Sequence, residues 1–282
     1  MNRNIPTFMS CDNEYDESEI VIYGAPFDST TSNRPGTRFA SQAMRPDSYG
    51  LETYSPYQDK DLEDYKFFDA GDLELPFGNS VKALEIIEEF ADQIVADGKK
   101  PCMIGGEHLV TLGNIRSLSK KYNDLHIIQF DAHADLRDDY MGEKLSHASV
   151  IRRAWDILGD GRIYQFGIRS GERDEIYWGK SHVYTRHFDL ETLGEIVQKL
   201  KGKSVYVTID LDVLDPSIFP GTGTPEPGGI TFKEIIEGIK TLKDANIVGF
   251  DINELSPHYD HSGASTAAAC KVLREMLLVA SK

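Results

Sequence analysis

The sequence predicts an α/β fold built on a mainly parallel β-sheet covered by helices on both faces. Three observations carry this. Short runs such as residues 125–130 (Leu-His-Ile-Ile-Gln-Phe) and 205–209 (Val-Tyr-Val-Thr-Ile) are apolar and rich in β-branched residues, the pattern of strands buried on both sides. Segments of helical period lie between such runs. The alternation continues along the chain with no repeat, low-complexity tract or linker, so residues 1–282 read as one domain.

Taken in order, residues 1–19 are mostly polar and acidic and read as a surface arm. Residues 20–23 (Ile-Val-Ile-Tyr) form a strand, followed by a Ser/Thr loop and Arg34-Pro35-Gly36. Phe67-Phe68 begins a short strand. Residues 81–96 are helical, with Leu84, Ile87, Phe90 and Ile94 on one face and Glu85, Glu88, Glu89 and Asp92 elsewhere. Pro101-Cys102-Met103-Ile104 is a weaker strand, and His108 opens a helix running toward Lys121. After the strand at 125–130 come a helix at 147–158, a strand at 162–167, a helix at 189–200 and the strand at 205–209. Thr231 and Glu234 form a capping box that opens another helix. Residues 247–250 are a strand leading into Asp251-Ile252-Asn253-Glu254, and a last helix covers 264–279.

The formal net charge of −16 argues against nucleic acid as a partner and suits a small cationic ligand. Three scattered cysteines, Cys11, Cys102 and Cys270, imply no disulfide framework; the latter two read as packing residues. No stretch approaches a membrane span, and the first residues lack the apolar core of a signal peptide, so a cytoplasmic location is expected.

Three clusters carry the chemistry: His108 in Gly105-Gly106-Glu107-His108, the run Asp131-Ala132-His133-Ala134-Asp135, and Asp210-Leu211-Asp212. In extended chain, alternate side chains point the same way, which would put Asp131, His133 and Asp135 together, and likewise Asp210 and Asp212. Each cluster follows a strand, and open parallel sheets build their sites beyond the carboxyl ends of strands. Four carboxylates packed together are costly unless neutralised, so the set points to two divalent cations. An oxygen-rich set with two imidazoles and no thiolate favours Mn²⁺ over a structural zinc. Two such ions, roughly 3.5–4 Å apart, can share a hydroxide and clamp the charge of a displacement. The loop at 221–229 lacks the Gly-Lys-Ser/Thr ending of a P-loop and reads as a wall of the pocket. His126 reads as core, His182 and His187 as surface residues, and His258 and His261 as neighbours of the site.

These motifs, with Ser146-His147-Ala148-Ser149, Asp210-Leu211-Asp212-Val213-Leu214-Asp215-Pro216, Pro220-Gly221-Thr222-Gly223-Thr224-Pro225-Glu226 and Asp251-Ile252-Asn253-Glu254, occur in an order that resembles the ureohydrolase family, whose members include arginase and agmatinase. The resemblance runs from about residue 20 to the end. It implies a three-layer α/β/α fold, shared with the deacetylases, and two manganese ions per chain. His108 and Asp135 would hold one ion and His133 and Asp212 the other, with Asp131 and Asp210 touching both. His147 resembles the family's proton-shuttling histidine, and Glu254 the carboxylate that pairs with the substrate guanidinium. Trimers or hexamers are the family's usual assemblies. Leu109 and Ala148-Ser149 depart from many relatives without removing a ligand.

The implied reaction is attack of a metal-bridging hydroxide on a guanidinium carbon, with His147 relaying a proton to the departing amine. The run Asp135-Leu136-Arg137-Asp138 looks more like agmatinase than arginase, so agmatine, giving putrescine and urea, is the expected substrate. Asp138 and Asp139 would make an acidic mouth for its ammonium tail. Arg137, turned inward, would instead hold an arginine carboxylate. The alternatives are another ureohydrolase (arginase or guanidinobutyrase), a single-metal deacetylase-like amidohydrolase, a two-metal phosphoesterase and a non-catalytic metal-binding protein.

Overall fold

The computed structural model describes residues 6–281. Its centre is an eight-stranded sheet formed by β1 (Ile20–Ala25), β4 (Phe67–Asp72), β5 (Lys100–Gly105), β6 (His126–Phe130), β7 (Ile163–Ile168), β8 (Tyr184–His187), β9 (Ser204–Asp210) and β10 (Asn246–Asn253). The order across the sheet is β4-β1-β5-β10-β9-β6-β7-β8, and every neighbouring pair is parallel. A two-stranded hairpin of β2 (Tyr54–Ser55) and β3 (Lys60–Asp61) stands apart.

Alternate residues of the buried strands feed two cores on opposite faces. On β1, Ile20 and Ile22 join one core, with Val21 and Tyr23 in the other. The first core is closed by α1 (Ala40–Ser48), α6 (Leu193–Lys199), α7 (Phe232–Thr241) and α8 (Ala264–Ala280). The second is closed by α2 (Ser80–Ala96), α3 (Thr111–Lys121) and α4 (Val150–Leu158), with Ile176 and Trp178 of α5 (Arg173–His182) packed on it. The result is the three-layer α/β/α arrangement. The Thr231–Glu234 capping box forms as expected, each side chain bonding the other's backbone N–H.

Several expectations are corrected. The stretch at 1–19 is not wholly a surface arm: Phe8, Met9 and Cys11 are buried in the first core, and Asp12 bridges to Phe68 of β4. Its polar residues hid three apolar anchors. The helix expected at 189–200 begins only at Leu193. Helices α1 and α5 and the edge strand β8 were not anticipated. Helix α1 carries Pro46 within it, and β8 is half-buried along its length and lacks a clear alternation.

Strands β5 and β6 are consecutive in the main sheet's chain order, yet β10 and β9 lie between them. The four central strands β5, β10, β9 and β6 therefore deliver their carboxyl-terminal loops side by side. This is the crevice where parallel sheets place ligands.

Candidate active site

Each central strand ends in one motif: His108 after β5, Asp131 to Asp135 after β6, Asp210 and Asp212 at the end of β9, and Glu254 after β10. Gly105 and Gly106 allow the first to fit. A Cβ on Gly105 would collide with the Asn253 side chain, and one on Gly106 with the Phe27 backbone. Close approach of neighbouring chain, rather than a positive φ, explains the glycine pair.

The six residues converge, but not by extended alternation. Asp135 turns into the left-handed region at φ 52°, and Asp212 sits in a 3₁₀ turn whose N–H donates to Asp210 Oδ1 at 2.9 Å. Asp131 Oδ1 accepts the His133 N–H at 2.6 Å, and Asp212 Oδ1 accepts the Ala132 N–H at 3.1 Å. These turns, not a strand pleat, aim the carboxylates inward. Glu254 is likewise left-handed, at φ 67°. Non-glycine residues in this region are strained, and such strain clusters at functional positions.

Two triads result, His108 with Asp131 and Asp135, and Asp131 with His133 and Asp212. His108 Nδ1 faces Asp131 Oδ2 at 3.0 Å, Asp135 Oδ2 at 3.1 Å and Asp210 Oδ2 at 3.4 Å. One imidazole nitrogen offers one hydrogen at most, so three acceptors around it exceed what it can satisfy. A cation among the same oxygens would satisfy them all, so the donor set fits a metal. His133 Nδ1 lies 2.9 Å from Asp212 Oδ2 and 3.8 Å from Asp131 Oδ1. Asp131 belongs to both triads. His108 is oriented from behind, its Nε2 lying 2.8 Å from the Thr208 hydroxyl.

Electrostatics tells the same story. Burial, with Asp135 and Asp212 nearby, pushes the Asp131 carboxyl up to about 7. Burial and the charges of Asp212 and Asp131 raise Asp210 well above the carboxylate range. Burial would raise Asp212 too, but His133 beside it holds it well below. Against burial, Asp212 raises His133 to about 10. Neighbouring carboxylates raise both histidines, and burial raises Asp131 and Asp210, so the cluster as a whole favours added positive charge.

His108, His133, Asp135, Asp210, His147 and Glu254 line a single cavity of about 270 Å³. Glu254 is buried, and its Oε1 accepts the His108 N–H at 2.7 Å. Burial, then Glu107 and Asp212, raise its pKa well above the usual value. His147 stands at the head of a 3₁₀ turn, its Nδ1 3.4 Å from the Thr30 hydroxyl and its Nε2 3.3 Å from that of Ser32. Burial, only partly offset by Asp135, lowers its pKa, favouring the neutral ring near pH 7. Thr224, from the loop expected as a wall, lines the cavity and donates to Asp212 Oδ2 at 3.3 Å.

The acidic mouth is not where the sequence put it. Asp138 pairs with Arg153 at 2.8 Å and Asp139 caps the Gly142 N–H; neither lines the cavity. Glu172 and Glu175 line it instead, together with Arg137 and Tyr140. Arg137 Nη1 lies 3.0 Å from Glu172 Oε1 and its Nε 3.5 Å from Glu175 Oε1, with its guanidinium over the Tyr140 ring. His258 and His261 are exposed and stay outside the cavity; His258 packs its ring on Phe39. His126 is buried, while His182 and His187 are half-buried, His182 stacked on Trp178. Sequence reasoning missed Thr30, Ser32, Glu107, Glu172 and Glu175. Glu107 stands inside the first motif, but nothing there marked a role for it beside His108; the others come from loops and a helix start outside the motifs, and no spacing links them.

The arginase-family model matches residues 18–279. The chain belongs to the arginase family. It is 50% identical over 277 residues to the agmatinase of Bacillus anthracis, with 96% of this chain and 95% of that protein covered. A solved chain from Clostridium difficile superimposes with a TM-score of 0.93 at 54% identity, covering 95% of this chain and 99% of that one. The agmatine ureohydrolase of Thermoplasma volcanium does so with a TM-score of 0.89 at 35% identity, covering 98% and 94%. This ureohydrolase therefore resembles the agmatinases over nearly its whole length. Among the described residues no helix is long and apolar enough to cross a membrane.

Proposed function

We propose that this ureohydrolase hydrolyses agmatine to putrescine and urea at a dinuclear manganese site. The observation that carries the substrate choice is the charge layout of the cavity. It has carboxylates at the metal end and again at the mouth, where the Arg137 guanidinium is already committed to Glu172 and Glu175. A dication with a guanidinium at one end and an ammonium at the other matches this layout. An arginine carboxylate would meet Glu172 and Glu175, and Arg137, paired with both, would have to leave them to receive it.

His108, Asp131, Asp135, His133, Asp210 and Asp212 would hold the ions, with Asp131 and Asp210 shared. A bound pair of divalent cations neutralises these carboxylates and supplies an activated water near neutral pH. Glu254 pairs with the guanidinium and turns its carbon toward that water. After addition, the C–N bond to the alkyl amine breaks and the amine needs a proton. His147, half-buried beside the cations' ligands and neutral near pH 7, relays it. The water oxygen leaves in urea, and the protonated diamine leaves toward the carboxylate-lined mouth. The product places the reaction in polyamine supply. A cytoplasmic homo-oligomer, trimeric or hexameric, completes the reading.

The test is product stoichiometry. Protein refilled with Mn²⁺ should release equal amounts of urea and putrescine from agmatine, and chelation should abolish both. Metal-replete protein that releases neither would refute the proposal.

A further inference from the structure

Glu107 is fully buried, yet it holds no position in either metal triad. Its carboxylate points away from the cluster, into the loop after β1. Oε2 accepts the Thr30 N–H at 2.8 Å and the Thr31 hydroxyl at 3.2 Å, and Oε1 accepts the Thr30 hydroxyl at 2.7 Å. All three partners are donors, so the site is built for an acceptor on both oxygens. The Glu107 N–H in turn binds the Phe27 carbonyl at 2.8 Å, fastening the same loop from the backbone.

The Thr30 hydroxyl links this clamp to His147. Its only hydrogen goes to Glu107. Its oxygen is thereby left as an acceptor, and it takes the His147 backbone N–H at 3.1 Å. Nδ1 of the same histidine lies 3.4 Å from that oxygen. An oxygen whose hydrogen is spent elsewhere favours a hydrogen on the nitrogen that faces it. The Ser32 hydroxyl, 3.3 Å from Nε2, is free to donate to the opposite nitrogen.

We propose that Glu107 is a positioning residue for proton transfer: through Thr30 it fixes His147 in the Nδ1–H tautomer and leaves Nε2 to exchange protons with the reacting groups. The inference rests on the proton-relay role given to His147 above. The chemistry explains why a carboxylate, not an amide, occupies this position. A glutamine there must turn its NH₂ toward either the Thr30 N–H or the Thr30 hydroxyl. The first opposes two donors. The second sends the hydroxyl hydrogen to His147 Nδ1 and reverses the tautomer.

The test is a double-mutant cycle on the Mn²⁺-loaded enzyme, with metal content, kcat and KM for agmatine measured together. Glu107→Gln and Thr30→Val should each lower kcat by about 10- to 100-fold with KM changed less than about threefold, because an orienting acceptor or its link is lost while substrate contacts stay. Thr30→Ser, which keeps the hydroxyl, should recover most of the Thr30→Val loss. Added to His147→Ala, Glu107→Gln should cause no further loss. Two outcomes overturn the proposal alone: multiplied losses in the double variant, or normal kcat for Thr30→Val while His147→Ala is impaired. Loss of metal by Glu107→Gln with normal turnover for Thr30→Val also overturns it, since Glu107 would then serve His108. Near-normal turnover for His147→Ala refutes the relay role itself.

Discussion

Replacing Asp131 with Asn separates the metal-holding role of this residue from any structural one, because only the first makes the loss of stability depend on Mn²⁺. Asp131 is fully buried and shared by both triads. Its Oδ1 accepts the His133 N–H at 2.6 Å, and its Oδ2 accepts Gln129 Nε2 at 2.7 Å while facing His108. An asparagine must set its NH₂ against one of these donors, and it removes one of four clustered charges. In metal-free protein the relief of repulsion from Asp135 and Asp212 offsets the lost hydrogen bond, worth about 1–3 kcal/mol. The midpoint of metal-free Asp131→Asn should therefore stay close to wild type. With Mn²⁺ present the balance reverses. A hundredfold weaker affinity forfeits about 2.7 kcal/mol per ion at saturating metal. At about 2 °C per kcal/mol for a chain of this length, two weakened ions cost roughly 10 °C. Thermal denaturation with and without Mn²⁺, beside metal analysis, reads this directly. Two ions per chain and an undiminished Mn²⁺-induced rise in Asp131→Asn would refute the shared-ligand reasoning.

Two further outcomes are expected. Glu254→Gln should lower kcat/KM for agmatine by roughly 1.5–3 kcal/mol, the scale of a lost charged hydrogen bond, with metal content unchanged; equal kcat/KM would remove Glu254 from substrate orientation. Burial works against ionisation of Asp260, but hydrogen bonds from Ser262 and Ser265 hold its pKa down to about 2 and tie the start of α8, through Ser265, to Gly221 in the pocket wall. A folded pKa below the unfolded value of about 3.9 gives stability that is present above that pH and is lost as pH falls toward 2. Asp260→Asn should therefore lower Tm near neutrality, and the gap to wild type should narrow below about pH 4; a gap constant with pH would deny the charge any part.

The legible part of the molecule was what strands and motifs encode locally. The strands at 125–130 and 205–209 announced themselves by mostly apolar, β-branched-rich runs, because both faces are buried. Convergence of His108, Asp131 and Asp210 followed from their places at strand ends, which the sheet order then supplies through β5, β6 and β9. The wrong part of that argument was geometric: Asp135 and Asp212 reach inward through turns, which period-two alternation does not describe. Phe8 and Met9 were lost in a mostly polar stretch, because isolated anchors carry no period. Nothing in the sequence singles out Glu172 and Glu175, which open the unanticipated helix α5, where Glu175 completes a capping box. Their second role at the cavity mouth depends on where α5 docks, which no local pattern encodes. Asp138 and Asp139 misled because nearness in sequence to Asp135 is not nearness to the cavity.

The central claim is a guanidine hydrolase whose mouth carboxylates select a cationic tail. It is tested most directly by urea release from agmatine, arginine and 4-guanidinobutyrate, measured side by side with Mn²⁺-loaded protein. The account predicts a kcat/KM for agmatine well above the other two, because in the proposed orientation each of those would bring a carboxylate toward Glu172 and Glu175, which line the cavity. Equal or faster hydrolysis of arginine or 4-guanidinobutyrate would contradict it.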